Sequence, residues 1–277
     1  MATPVLTRRV LDGVLGPIFI DVRTSDRERP RPAILVVHGF KGFKDWGMFP
    51  LVAERLARAG LTAVSFNLSG SGVDEEGRIA YPDRFGHATY SGDLEDMRRV
   101  SATLAEGTLG LAPTSVLGVL GHSRGGGEAI LFAAGEPAVR ALVTWSAISE
   151  VHRWRDQEEQ WRRTGHLDIR NARTGDVLPL HLDVLEDVER NRQSLDIRAA
   201  AARVSVPWLL VHGTSDESVP VTEAEALHAA AIGNPGLRYL PIDGAGHTFG
   251  ATHPMFGIPP TLSIALDESV KWMGRHL

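Results

Sequence analysis

Cysteine is missing from all 277 residues. That absence excludes a disulfide scaffold, a thiolate zinc site, an iron–sulfur cluster and a cysteine nucleophile together. Lysine is nearly missing too: of the 29 Lys and Arg residues only Lys41, Lys44 and Lys271 are lysines. Positive charge gathers in no block, and a net charge of −5 argues against nucleic acid as the partner. Long apolar runs are also lacking. The longest stretch free of Asp, Glu, Lys and Arg, residues 244–266, carries two histidines with Pro254, Pro259 and Pro260, so it reads as loop and turn rather than a membrane span. Residues 1–9 have no signal-peptide-like apolar core, and a cytoplasmic location is the expectation. Monomer and homodimer both stay open.

What is present is an ordinary globular composition, 43% hydrophobic and 23% charged, with 29 glycines. A chain of this length buries a large core without staples. Strand-like and helix-like segments alternate along it, the pattern of a mostly parallel sheet flanked by helices. Residues 10–22 read as a hairpin turning near Gly13 or Gly16-Pro17. Residues 33–37, Ala-Ile-Leu-Val-Val, form a short apolar run of the kind buried on both faces of a sheet. Further strands are expected at 61–68, 115–120, 139–146, 206–212 and 238–242. Helices are expected at 48–59, 90–106, 123–134, 223–231 and 262–276.

Residues 149–202 break the alternation after the sixth core strand. The segment is rich in Arg and Glu and shows no buried-strand run. Val151, Trp154 and Trp161 fall near one helical face, 171–176 reads as a turn, and 182–202 reads as helical. The expectation is an α/β core of residues 1–148 and 203–277 with a helical lid inserted at 149–202. A solvated helical excursion is the alternative.

The strongest local motif is Gly121-His122-Ser123-Arg124-Gly125, directly after a buried strand and directly before an Ala-rich helix. G-x-S-x-G holds a serine on a sharp strand-to-helix turn, with small residues where neighbouring backbone comes close. Its hydroxyl then stands at a helix N-terminus that favours developing negative charge. A serine hydroxyl needs a base, and the base needs an orienting acid. Asp216 follows the strand 206–212 and His247 follows the strand 238–242, in the order Ser, Asp, His. Asp243 is the rival acid. The oxyanion hole calls for two backbone N–H groups. Arg124 supplies one, and the loop His38-Gly39-Phe40-Lys41-Gly42 the other, from Phe40 or its neighbour Lys41. His38 reads as a structural brace, Lys41 and Lys44 as exposed loop lysines, and Gly70-Ser71-Gly72 as a tight turn. Trp46, Trp154, Trp161 and Phe249 are the candidates to line an acyl or aryl pocket, while Trp145 reads equally as core. The 11 histidines show no paired spacing of the metalloprotease kind, so no metal or cofactor is expected.

The block 38–46, the elbow Gly-His-Ser-Arg-Gly-Gly, His-Gly-Thr-Ser-Asp-Glu-Ser-Val-Pro at 212–220 and Gly-Ala-Gly-His-Thr-Phe at 244–249 together resemble the α/β-hydrolases. Within them the likeness is to bacterial serine esterases of the cinnamoyl/feruloyl-esterase-like and dienelactone-hydrolase-related groups. The resemblance covers nearly the whole chain. It implies a Ser123–Asp216–His247 triad, an oxyanion hole from Phe40 and Arg124, a lid after the sixth strand, and a small-molecule ester as substrate. Dienelactone hydrolases proper use a Cys nucleophile, which this chain lacks. Thioesterase, amidase and acyltransferase chemistry on the same triad, or ligand binding without turnover, are the alternatives.

Overall fold

The computed structural model describes residues 3–171 and 175–277. The apolar runs become strands of one eight-stranded sheet. They are β1 (Val5–Asp12), β2 (Pro17–Thr24), β3 (Ala33–Val37), β4 (Thr62–Phe66), β5 (Leu117–His122), β6 (Val139–Trp145), β9 (Trp208–Gly213) and β10 (Leu237–Ile242), in the spatial order β1-β2-β4-β3-β5-β6-β9-β10. The β1–β2 and β2–β4 pairs are antiparallel and the rest parallel.

Alternation along β3 shows why the run had to be continuously apolar. Ala33, Leu35 and Val37 enter one core cluster while Ile34 and Val36 enter the other, on the opposite face. The first face is covered by α3 (Tyr90–Glu106), α4 (Arg124–Ala133) and α8 (Val221–Ala230), the second by α1 (Phe49–Arg58) and α9 (Pro260–His276). Helix α3 begins where Thr89 caps the Gly92 N–H and ends at Gly107, whose φ of 74° suits only glycine comfortably.

Residues 149–202 correct the expectation of a helical insertion. They contain a two-stranded antiparallel hairpin, β7 (His166–Arg170) paired with β8 (Val177–His181). Around it stand α5 (Glu158–Thr164), α6 (Leu182–Arg190) and α7 (Ile197–Ala201). Val151 and Trp154 lie outside any α-helix, and 182–202 is two short helices rather than one. The strands were hidden because each buries only every second residue: Leu167 and Ile169 in β7, Leu178 and Leu180 in β8. The expected turn at 171–176 falls partly outside the described residues. These apolar positions join Trp161, Val184 and Leu185 in a small cluster that closes on Phe85 of α2 (Pro82–Gly86). Among the described residues no helix is long and apolar enough to cross a membrane.

Candidate active site

The C-terminal ends of β3, β5, β9 and β10 converge, and each is followed by one of the motif loops. Ser123 follows β5 directly with φ 58° and ψ −121°, a strained backbone for a residue with a side chain. The glycines around it are dictated by space. A Cβ at Gly121 would meet the Gly125 carbonyl oxygen at 2.1 Å, and one at Gly125 would meet the His38 oxygen at 2.3 Å. Helix α4 therefore starts pressed against the ends of β3 and β5, and the turn aims Ser123 outward.

Its hydroxyl meets a base. Ser123 Oγ lies 2.9 Å from His247 Nε2, and His247 Nδ1 lies 2.8 Å from Asp216 Oδ2. A carboxylate at Nδ1 holds the ring proton there, which leaves Nε2 to accept from the serine. Asp216 is also held by the backbone N–H groups of Ser218 and Val219, both at 2.9 Å from Oδ1. Burial works to raise the Asp216 pKa, but the hydrogen bond and charge of His247 with the Val219 N–H outweigh it and hold the carboxyl below its usual range. The two loops lock together, since the Ser215 N–H donates to the Ala245 carbonyl at 2.9 Å and Gly213 has no room for a Cβ against that same oxygen. Asp243 is elsewhere: it is exposed and accepts from the Thr214 hydroxyl at 3.1 Å.

The loop 38–42 lies against the serine, since a Cβ at Gly39 would stand 2.9 Å from Ser123 Cβ. His38 braces it. Nδ1 donates to the Gly39 carbonyl at 2.9 Å and Nε2 accepts the Leu68 N–H at 3.2 Å. Burial lowers its pKa to about 4 and keeps the ring neutral. The Arg124 amide opens α4, in the turn whose N–H groups have no intrahelical acceptor. A cavity of about 180 Å³ is lined by Gly39, Phe40, Trp46, Ser123, Asn171 and His247, among others. A larger one of about 330 Å³ lies at the ends of the insertion, near Val151 and Ile197, and does not contain Ser123.

Of the four aromatic pocket candidates, Trp46 lines the serine cavity. Trp154 packs on the Phe40 ring at 5.5 Å. Trp161 is buried in the insertion's own cluster and does not line that cavity. Phe249 is fully buried against Trp145, with ring centroids 5.5 Å apart. It belongs to the core cluster on the second face of the sheet and does not line the serine cavity. Lys44 is likewise not exposed, being buried between Asp21, at 3.1 Å, and Asp45.

Three features escaped the sequence reading. His122 is buried at the end of β5, its Nε2 bonded to the His247 carbonyl at 2.9 Å, and burial lowers its pKa to about 3. The Arg124 side chain runs inward to Asp93 at 2.6 Å and Glu128 at 2.8 Å and lies 3.9 Å from the Tyr90 ring centroid. Burial, with Glu128 nearby, raises the Asp93 pKa against the pull of Arg124, so one arginine stands among two buried acids. Glu128, four residues after Arg124 on an otherwise apolar helix, was the available signal. Asn171 reaches the cavity from the insertion, and nothing in its local sequence marked it.

Among proteins of known activity the chain is 27% identical over 221 residues to 2,6-dihydropseudooxynicotine hydrolase of Paenarthrobacter nicotinovorans, covering 77% of this chain but only about half, 51%, of that protein's length. It is 25% identical to a monoacylglycerol lipase of Mycolicibacterium smegmatis, over 94% of each. Among solved structures, Est1E from Butyrivibrio proteoclasticus with ferulic acid bound superposes with a TM-score of 0.71 at 18% identity, over 97% of this chain and 98% of that one. A family model described as serine aminopeptidase, S33, matches residues 28–169, just over half of the chain. With the hydrolase sheet order and the serine elbow that segment contains, the chain belongs to the S33 family of α/β-hydrolases.

Proposed function

We propose that this chain is a serine hydrolase of carboxylic esters with small to medium acyl or aryl groups. The observation that carries the reading is the unbroken line Asp216–His247–Ser123, both links within hydrogen-bond distance, ending at an open cavity. Ser123 Oγ attacks the acyl carbon as His247 Nε2 takes its proton, and Asp216 stabilises the imidazolium. The amides of Phe40 and Arg124 donate to the tetrahedral oxyanion. The bond to the alcohol oxygen breaks, and His247 returns the proton to that oxygen. Water, deprotonated by the same ring, then attacks the acyl-serine and releases the acid. Residues 149–202 act as the lid: Asn171 lines the cavity, the Lys41 ammonium donates to the Arg170 carbonyl at 3.2 Å, and Trp154 covers Phe40.

The family's description favours a second reading, release of an N-terminal residue from a peptide. That reaction needs a group to receive the substrate's ammonium. The described residues lining the serine cavity include no carboxylate, and the one charged side chain there with a fixed sign is Lys41. The lipase relative and the ferulic-acid complex, by contrast, fit the ester reading. In Ser123→Ala, turnover of p-nitrophenyl acetate or butyrate falls by about 10⁶, and a fluorophosphonate probe that labels the wild-type serine leaves the variant unlabelled. Near-wild-type turnover in the variant overturns the proposal. Wild-type protein that never labels points to a binding protein, and faster cleavage of an aminoacyl anilide than of the matched ester favours the peptidase.

A further inference from the structure

Away from the serine, the core and the insertion meet at a cluster of side chains that neither the fold nor the proposed reaction uses. His87 closes α2, Asp83 sits in the first turn of the same helix, and His181 is the last residue of β8. One ligand atom from each of the three lies within 4.8 Å of the other two. Nε2 of His87 is 3.7 Å from Asp83 Oδ1, and Nε2 of His181 is 3.9 Å from the same oxygen. Both separations are too long for hydrogen bonds. They come close to the spacing of about 3.3 Å between ligand atoms of a tetrahedral ion bound at about 2.0–2.1 Å.

Three further details belong to a binding site rather than to an accidental surface cluster. The Nδ1 of His87 lies 2.7 Å from Asp183 Oδ2, which fixes the ring and puts its lone pair on Nε2, the atom that faces Asp83. The two imidazoles stack with centroids 4.5 Å apart and planes 26° apart. Two imidazolium rings in that arrangement repel each other, whereas two neutral rings around one cation do not. Space is also reserved for the approach, because a Cβ at Gly86 would meet His181 Cδ2 at 2.5 Å.

We propose that His87, His181 and Asp83 bind one divalent transition-metal ion, with Asp183 orienting His87 and water completing the shell. Two imidazoles and a carboxylate are borderline ligands that suit Zn²⁺ and exclude Mg²⁺ and Ca²⁺ by donor type. The ion bridges α2 of the core to the β8–α6 corner of the insertion. It sits beside Phe85, whose ring packs on Phe40 at 5.1 Å, so its role is to clamp the insertion down rather than to take part in bond cleavage. Sequence spacing gave no hint, since His87 and His181 lie 94 positions apart.

The test uses tag-free full-length chain stripped with EDTA and titrated with ZnCl₂ by calorimetry, with thermal unfolding read in parallel. One Zn²⁺ binds per chain and raises the unfolding midpoint. His181→Ala and Asp83→Ala abolish the saturable step, and Asp183→Ala weakens it by about 10–100-fold. His276→Ala, which removes a histidine at the end of α9, leaves it intact. Unfolding midpoints without metal show whether each variant is folded. If His181→Ala unfolds, His87→Ala on the core side decides the question. Wild-type protein without a saturable Zn²⁺ step, or the same affinity in folded His181→Ala and His87→Ala, overturns the site.

Discussion

The core and the insertion bury apolar side chains in the same chain by opposite means. The central strands of the core are covered on both faces, as the split of β3 between two clusters shows, while the edge strands β1 and β10 are partly open. The insertion hairpin has one covered face: Leu167, Ile169, Leu178 and Leu180 point in, while His166, Asp168, Arg170 and Val177 are exposed or half-exposed. Charge follows the same division. The core holds Arg124 between Asp93 and Glu128 out of water, whereas in the insertion Arg162 pairs with Glu158 and Glu189 at the surface. A strained serine backbone persists only where its surroundings over-determine it, which the doubly covered sheet does and a one-sided hairpin does not. The proposed chemistry therefore falls to the core, and the proposed covering role to the insertion.

Asp216→Asn is the most severe way to probe that division short of removing the serine. The amide can no longer hold the proton on His247 Nδ1, and the wrong tautomer costs about 10⁴ in turnover of a p-nitrophenyl ester. Asp243→Asn, on an exposed side chain bonded to Thr214, leaves turnover near wild type. If Asp243→Asn were the more damaging change, the acid would lie outside the locked pair of loops.

The same division decides what the sequence made legible. Strands 33–37 and 206–212 could be read because burial on both faces demands unbroken apolar runs, and α3 because its stripe is long and capped. The juxtaposition of Ser123, His247 and Asp216 was readable because G-x-S-x-G, the loop after β9 and the loop after β10 each follow a strand in order. The hairpin was not read, since alternation over five residues between charged neighbours is a weak signal beside the helical spacing around it. Phe249 was misplaced for a different reason. An aromatic two residues after the base looks like pocket lining, whereas its ring packs on Trp145, a contact that residue type alone does not reveal. His122 and Asn171 depend on tertiary contacts between residues more than a hundred positions apart or across the insertion, which no local pattern encodes.

Acid should attack the core first. His38 titrates near 4 and His122 near 3 in the folded chain, and burial lowers His212 as well, against an ordinary value of 6.5. Below pH 6.5 the unfolded chain takes up protons that the folded chain refuses, so acid favours unfolding until the folded values are reached. Each such ring contributes up to about 1.4 kcal/mol per pH unit across that window. The urea midpoint therefore falls as pH drops from 6.5 toward 4, and the fall is shallower in His38→Gln if that variant keeps the loop bonds. A midpoint independent of pH across this range would mean that these rings are hydrated in solution.

The smallest effect on the whole molecule is expected from a fully buried residue of the insertion's hairpin. Leu180 is fully buried, yet its partners are the hairpin, α6 and Phe85 rather than the sheet. Truncating it to alanine removes about 2–5 kcal/mol of local packing. Leu142 of β6 is equally buried but touches the large core cluster, so the same truncation there lowers the global unfolding midpoint. In Leu180→Ala the loss is instead spent on opening the hairpin of β7 and β8 with its small cluster, seen as faster amide exchange and protease cleavage there while the global midpoint scarcely moves. Zn²⁺ sharpens the contrast, because an ion held by His181, the next residue along, should slow exchange in the hairpin of Leu180→Ala and leave Leu142→Ala unprotected in its sheet. Equal loss of global midpoint in the two variants would mean that the insertion and the core unfold as one cooperative unit, and that the hairpin's single covered face is no weaker than the sheet's two.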